Sequence, residues 1–186
     1  FASLGYNTTE NILSIENSAT NNPTVNGALA SQYKRRQLVC ISPIVWRLGR
    51  WLPDDLRRTS AVMTAAGTVD ANAMVFTVGS SAVPFTNKYK DEVGYSDGAP
   101  IIRYAEVLLN AAEAFARQNN VTDALADLNL VRNRALVDPT TQAYTAASFT
   151  DNVALIGAIL DERRIEFIME GRRWSDIHRL QFCPYF

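Results

Sequence analysis

Hydrophobic residues recur at two different periods along this chain, and the change falls near residue 98. Before it, apolar runs are short and punctuated by Asn, Ser, Thr, Gly and Pro. ENILSI (10–15) alternates apolar and polar positions and predicts a short strand, followed by a polar loop through NNPTVNG. Residues 27–39 suit a short helix. AMVFTV (73–78) and VPFTNKY (83–89) are strand-like runs separated by GSSA, the pattern of a small β-hairpin. DEVGYSDGAP (91–100) has the Asp, Gly and Ser content of a turn-rich loop.

After residue 98 the period becomes helical. IIRYAEVLLNAAEAFARQNN predicts an amphipathic helix over 101–118, with Tyr104, Val107, Leu108, Ala111, Ala114 and Phe115 on one face. Asn119 and Asn120 suit its C-terminal end, and Thr122 is placed to cap a second helix whose Leu125, Leu128, Val131 and Ala135 turn inward. So short a link forces the two helices antiparallel. Ser148 and Asp151 in SFTD have capping-box spacing and open a third helix to about Met169. Gly171 interrupts it, and RRWSDIHRL (172–180) follows as a fourth segment. The expected fold class is mainly α. Antiparallel helix hairpins, resembling a tetratricopeptide-like superhelix, carry a loop-rich part with a short β-hairpin. No 34-residue repeat is visible, however.

The third and fourth segments are dense in charge: LDERRIEFIMEGRRWSDIHRL (160–180). Residues three and four apart on a helix are neighbours, which predicts Arg163–Glu166, Arg172–Asp176 and Asp176–Arg179 pairs. Glu162, Glu166 and Glu170 stand one turn apart and repel unless a cation lies between them, from Arg163 or from Arg132 or Arg134 of another helix. A structural ion-pair network of Glu162, Arg163, Arg164, Glu166, Arg172, Arg173, Asp176 and Arg179 follows, with Arg as the cation because its planar fork bridges two carboxylates. The competing catalytic reading needs two carboxyls about 5 to 10 Å apart across a cleft, one of them kept protonated. An arginine within a turn of every carboxylate works against that protonated acid. His178 is the only histidine, and amid Arg and Asp it reads as a helix-end or surface partner; Trp174 reads as packing. No HExxH, GxGxxG or GxxxxGK[ST] motif occurs, so no catalytic residue, cofactor or metal is expected.

Composition narrows the partners. A formal net charge of −1 over 186 residues supplies no field for a polyanion, which argues against nucleic acid. Lys is scarce and Arg supplies most of the positive charge. Cys40 and Cys183 cannot make a zinc site alone; a disulfide is open to them, but their spacing does not imply one. No apolar run is long enough to span a bilayer, and FASLGYNTTE lacks the features of a signal peptide.

Three long segments, IIRYAEVLLNAAEAFARQNN, ALADLNLVRNRA and ILDERRIEFIMEGRRWSDIHRL, resemble in order and spacing the signature segments of the SusD/RagB family of outer-membrane nutrient-binding lipoproteins. The family's ERR-x-E core is matched by Glu162, Arg163, Arg164 and Glu166, and its R-x-x-D-x-x-R by Arg173, Asp176 and Arg179. ENILSIE (10–16), PDDLRRT (53–59) and TNKYKD (86–91) are similar to weaker family elements. The family's lipid-bearing Cys, its N-terminal tetratricopeptide-like helices and its closing Gln-Asn-Pro-Gly-Tyr element have no counterpart. The expectation is therefore a single C-terminal domain of a larger protein over 1–186, loop-rich over 1–98 and helical scaffold over 99–186.

The resemblance implies cell-surface capture of oligosaccharides, or in some branches peptides. Delivery would be to a TonB-dependent, SusC-like transporter of the outer membrane, with no catalysis and a lipid anchor lying outside this chain. A site of that kind needs aromatic rings against sugar faces and polar groups for the hydroxyls. In the loop-rich half those are Tyr33, Trp46, Trp51 and Tyr95, with Asn21, Asn22, Arg47 and Arg50 nearby in sequence. A Trp near Pro in an irregular segment is more often a plug over a helix bundle than a ligand platform. The reading from another class is a helical scaffold that binds a protein partner or a peptide in a groove between hairpins.

Overall fold

In the computed structural model, which describes residues 8–181, the alternation at ENILSI becomes strand β1 (Asn11–Ile15). Two short helices, α1 (Thr24–Gly27) and α2 (Pro43–Trp46), flank a π-helical turn at Ser31–Arg35. Strand β2 (Ser60–Met63) runs parallel to β3 (Val75–Val78), which pairs antiparallel with the two-residue β4 (Phe85–Thr86), so the expected hairpin forms with a short second arm. Strand β5 (Ala99–Arg103) pairs antiparallel with β1, Asn11 opposite Arg103 and Ile15 opposite Ala99. Residues 99–103 therefore continue a sheet where periodicity placed the start of a helix. The β-branched pair Ile101–Ile102 and the helix-averse Pro100 favour the extended form once β1 offers its edge. Cys183 and the rest of QFCPYF beyond Gln181 lie outside the described residues.

The described residues fall into two units: 8–46 with 56–104, and 47–55 with 105–181. The first buries Ile41, Val75, Phe76 and Tyr89, with Phe76 stacked on Phe85 at 5.5 Å. Its β1–β5 sheet is tied by an ion pair between Arg103 and Glu10 at 2.6 Å.

The second unit is helical. It contains α3 (Tyr104–Arg117) from Ala105 onward, α4 (Val121–Arg132), the one-turn α5 (Pro139–Gln142), α6 (Asn152–Glu166) and α7 (Arg172–Leu180). Asn120 rather than Thr122 caps α4, its side chain accepting from the Asp123 N–H, because Asn119 already turns the chain at φ 60°. Asp151 caps α6. The capping box forms one step earlier, between Thr145 and Ser148. Left-handed Met169 and Gly171 separate α6 from α7.

The core of this unit joins Leu109, Ala112 and Ala116 of α3, Leu128 and Val131 of α4, and Leu155, Ile156 and Ile159 of α6. The buried face of α3 differs from the one its apolar pattern predicts. Ala105, Leu109, Ala112, Glu113 and Ala116 are inside, whereas Tyr104 and Val107 are exposed. A hydrophobic wheel turns Glu113 outward; the fold turns it inward because Arg179 supplies two hydrogen bonds, at 2.8 and 2.7 Å. Burial pushes the Glu113 carboxyl up, but the hydrogen bonds from Arg179 and Arg117 outweigh it and hold the pKa below its ordinary value.

The charged stretch at 160–180 forms an interhelical lattice. Arg132 of α4 reaches Glu162 at 3.3 Å, and Arg134, beyond α4, reaches Glu166 at 2.6 Å. Arg163 pairs with Asp176 at 3.2 Å, not with Glu166, and donates to Asn110 of α3 at 2.5 Å. Arg172 pairs with Glu106 of α3 at 2.9 Å, not with Asp176. Asp176 does take Arg179, at 2.8 Å. Arg164 stands 3.6 Å from Asp161, which Arg50 also reaches at 2.6 Å. Arg173 is half-buried, and desolvation lowers its pKa. Two sequence expectations thus gave way to longer reaches, from Arg163 of α6 to Asp176 of α7 and from Arg172 of α7 to Glu106 of α3. Glu106, Asn110 and Glu113 form one stripe of α3, which is why Arg172 and Arg179 of α7 and Arg163 of α6 reach the same face.

Candidate ligand-binding site

The loop at 91–96 is built around one carboxylate. Asp91 accepts from the backbone N–H of Val93, Gly94 and Ser96 and from the Ser96 hydroxyl. The spacing Asp, Gly at +3, Ser at +5 in DEVGYS is that of a side chain closing its own turn. The Ser96 hydroxyl is the main cause that lowers the Asp91 pKa to about 2, opposed by partial burial and helped by the backbone donors. The turn carries Tyr95 at φ 55° and leaves Val93 87% exposed.

Against it lies the loop at 18–24, held by Asn22. The Asn22 amide donates to the carbonyls of Ser18 (2.8 Å) and Gly94 (3.1 Å), and its oxygen accepts from the Thr24 N–H. Between the loops is a cavity of about 350 Å³, walled by Ala19, Thr20, Asn22 and Thr24 on one side and by Val93, Gly94 and Tyr95 on the other. Tyr95 accepts a hydrogen bond on its hydroxyl from Arg35 at 2.7 Å. One aromatic residue and two threonines in the wall, with a guanidinium bonded to the tyrosine hydroxyl, are the group types that a small polar ligand with apolar faces requires.

The aromatic candidates have different surroundings. Tyr33 is stacked on buried Tyr89 at 5.7 Å, and burial raises its phenol pKa. Trp46 is half-buried beneath the Arg58 guanidinium, 4.1 Å from its ring centre. Trp51, in the other unit, is only 2% exposed, which leaves no ring face for a ligand and corrects its reading as a platform. Arg47, in that unit too, is exposed. Tyr95 alone of the candidate aromatics lines the cavity. Trp174, expected inside, is 69% exposed, with His178 edge-on at 4.5 Å, because α7 turns Asp176 and Leu180 inward instead. Periodicity missed Thr20, Thr24, Val93 and Arg35; the turn signature in DEVGYS was the one local signal that pointed to this loop.

The model of the SusD family matches residues 57–183. The chain belongs to the SusD family. The matched stretch of this SusD-family chain includes the Tyr95 loop and the ion-pair lattice except Arg50, while the facing 18–24 loop precedes it. The chain is 36% identical over 110 residues to the starch-binding protein SusD of Bacteroides thetaiotaomicron, an alignment that takes in 56% of this chain and 18% of that protein. Its fold is similar to a solved SusD superfamily protein from Bacteroides fragilis, with a TM-score of 0.70 and 29% identity, covering 94% of this chain and 37% of that one. A second solved SusD superfamily protein, from Bacteroides thetaiotaomicron, gives a TM-score of 0.68 at 25% identity, covering 91% of this chain and 38% of that one. The chain thus spans well under half the length of these SusD relatives.

Acidification tests the turn. The Asp91 carboxyl has a folded pKa below its unfolded value, so its contribution is complete above about pH 4 and is lost as pH falls toward 2. Because the carboxylate is partly solvated, the expected loss is at most about 1 kcal/mol. Protection of the Val93, Gly94 and Ser96 amides, relative to their intrinsic exchange rates, is expected to fall over that window in the wild type. An Asp91→Asn variant should exchange faster at neutral pH and show no such acid step.

Proposed function

We propose that this SusD-family protein binds oligosaccharides at the bacterial cell surface and passes them to a TonB-dependent transporter of the outer membrane, without chemistry of its own. Family membership over 57–183 carries this reading, supported by the likeness to a protein named for starch binding. The cavity beside Tyr95 is the proposed contact surface: the ring covers an apolar sugar face, while Thr20, Thr24 and Arg35 meet hydroxyls. Arginine pairing of Glu162, Glu166 and Asp176 supports a framework role for these carboxylates over an acid–base one. On this reading membrane attachment is by a lipid anchor beyond this sequence; among the described residues no helix is long and apolar enough to cross a membrane.

The test is titration calorimetry of the chain with a panel of oligosaccharides. Tyr95→Ala is expected to weaken binding about fivefold to a hundredfold, by roughly 1–3 kcal/mol, at an unchanged melting temperature. Binding that survives Tyr95→Ala intact would move the site elsewhere. A scaffold for a protein partner is the second reading, favoured by the exposure of Trp174 and Ile177 on one face of α7. It requires retention of a partner that Trp174→Ser abolishes.

A further inference from the structure

We infer that the cavity beside Tyr95 takes a saccharide bearing an anionic group, a uronate carboxylate or a sugar sulfate, held by Arg35. The inference rests on the carbohydrate reading above and adds the charge class of the ligand.

The observation behind it is a mismatch in charge pairing. Several arginines of the helical unit are matched to carboxylates, as in Arg50–Asp161, Arg132–Glu162, Arg163–Asp176 and Arg172–Glu106. Arg35 has no carboxylate partner among the described residues. Its Nη1 donates to the Tyr95 hydroxyl at 2.7 Å and, at 3.5 Å, to the Glu92 carbonyl. Glu92's own carboxylate is engaged by the neighbouring Lys34 at 3.1 Å. Arg36 likewise donates only to the side-chain oxygen of Asn26, at 3.3 Å. Among the described residues Arg35 and Arg36 thus have no carboxylate partner, and Arg35 is bonded to the hydroxyl of Tyr95, which lines the cavity.

Nearby negative charge does not cancel this. The Asp91 oxygens are taken by the donors of their own turn, and Asp97 is buried and accepts from the Asp91 N–H at 2.8 Å. Burial also raises the Asp97 pKa, reducing its tendency to hold charge. The Tyr95 hydroxyl, having accepted from Arg35, still has its own proton to donate to a ligand oxygen. A planar guanidinium with spare N–H donors beside a phenol hydroxyl suits two oxygens of one anionic group, which a fork binds in parallel.

The experiment is calorimetry of the whole chain against three probes of similar length: an oligogalacturonide, a sulfated galactose oligosaccharide and a neutral maltooligosaccharide. An acidic probe is expected to bind at least tenfold more tightly than the neutral one, with an affinity that falls as salt rises. Preference for one acid probe names the anionic group as carboxylate or sulfate. Arg35→Gln should remove the preference and the salt dependence, weakening the acidic probes at least tenfold more than the neutral one, and Arg35→Lys should restore part of both. Melting curves confirm that each variant is folded; if Arg35→Gln is not, the wild-type salt dependence and Arg35→Lys decide. Equal binding of acidic and neutral probes, or an acid preference indifferent to Arg35, overturns the inference and leaves the carbohydrate reading standing. Binding of none of the three overturns both.

Discussion

Asp176→Asn is expected to lower the unfolding free energy by about 3–5 kcal/mol, the range for breaking a buried charge pair. Asp176 lies at the joint of α6 and α7, its side chain 3% exposed, and accepts from Arg163 Nε and Nη2 at 3.2 and 3.3 Å and from Arg179 Nε at 2.8 Å. Asparagine keeps the shape but removes the charge. It also turns an amide N–H₂ toward guanidinium donors, so the buried Arg163 is left with Asn110 and no counter-ion. The loss is to be measured by urea unfolding followed by circular dichroism, with the dependence on urea concentration unchanged. Wild-type stability in Asp176→Asn, combined with lost ligand binding, would instead make this carboxylate part of a site.

The second large effect concerns Arg132 and Glu162, whose side chains are 2% and 1% exposed. Glu162→Gln is expected to cost about 3 kcal/mol, since it leaves a buried guanidinium beside a neutral amide. Arg132 also donates to the Arg50 carbonyl at 3.2 Å and lies 4.2 Å from the Tyr144 ring centre, so Arg132→Met should cost a similar amount. The double variant Glu162→Gln with Arg132→Met should be much less destabilised than the two single losses added together. Removing both charges removes the desolvation cost along with the attraction, and the expected coupling is about 2 kcal/mol. Additive losses would show that the two side chains stabilise the fold through other partners.

Both effects follow from a feature legible before any coordinates: carboxylates spaced one helical turn apart between α6 and α7 require cations from outside their own helix. Arg132 and Arg134 were recognisable as candidate cations from another helix. Which carboxylate Arg163 and Arg172 would choose was not recognisable. Spacing along one helix offered Glu166 and Asp176, but the turn through Met169 and Gly171 swings α7 so that Arg163 meets Asp176 and Arg172 meets Glu106. The cavity was legible in one half only. The turn chemistry of DEVGYS pointed to Tyr95, whereas the facing 18–24 loop reads merely as polar and acquires meaning from Asn22 bonding to the Gly94 carbonyl across 72 residues.

Local pattern by itself determined that the second half is helical, where its Asn and Asp caps cluster, that β3 and β4 form a hairpin, and that the charged stretch is matched within the protein. Its long motifs were sufficient to show the family resemblance. Only tertiary structure decided which face of α3 is buried, that residues 99–103 are strand, that Trp51 lies inside while Trp174 faces water, and which arginine each carboxylate takes. The physical reason is one of range. Periodicity and capping depend on neighbours within a turn or two, whereas the burial of Glu113 or Trp51 depends on groups that distant segments bring alongside.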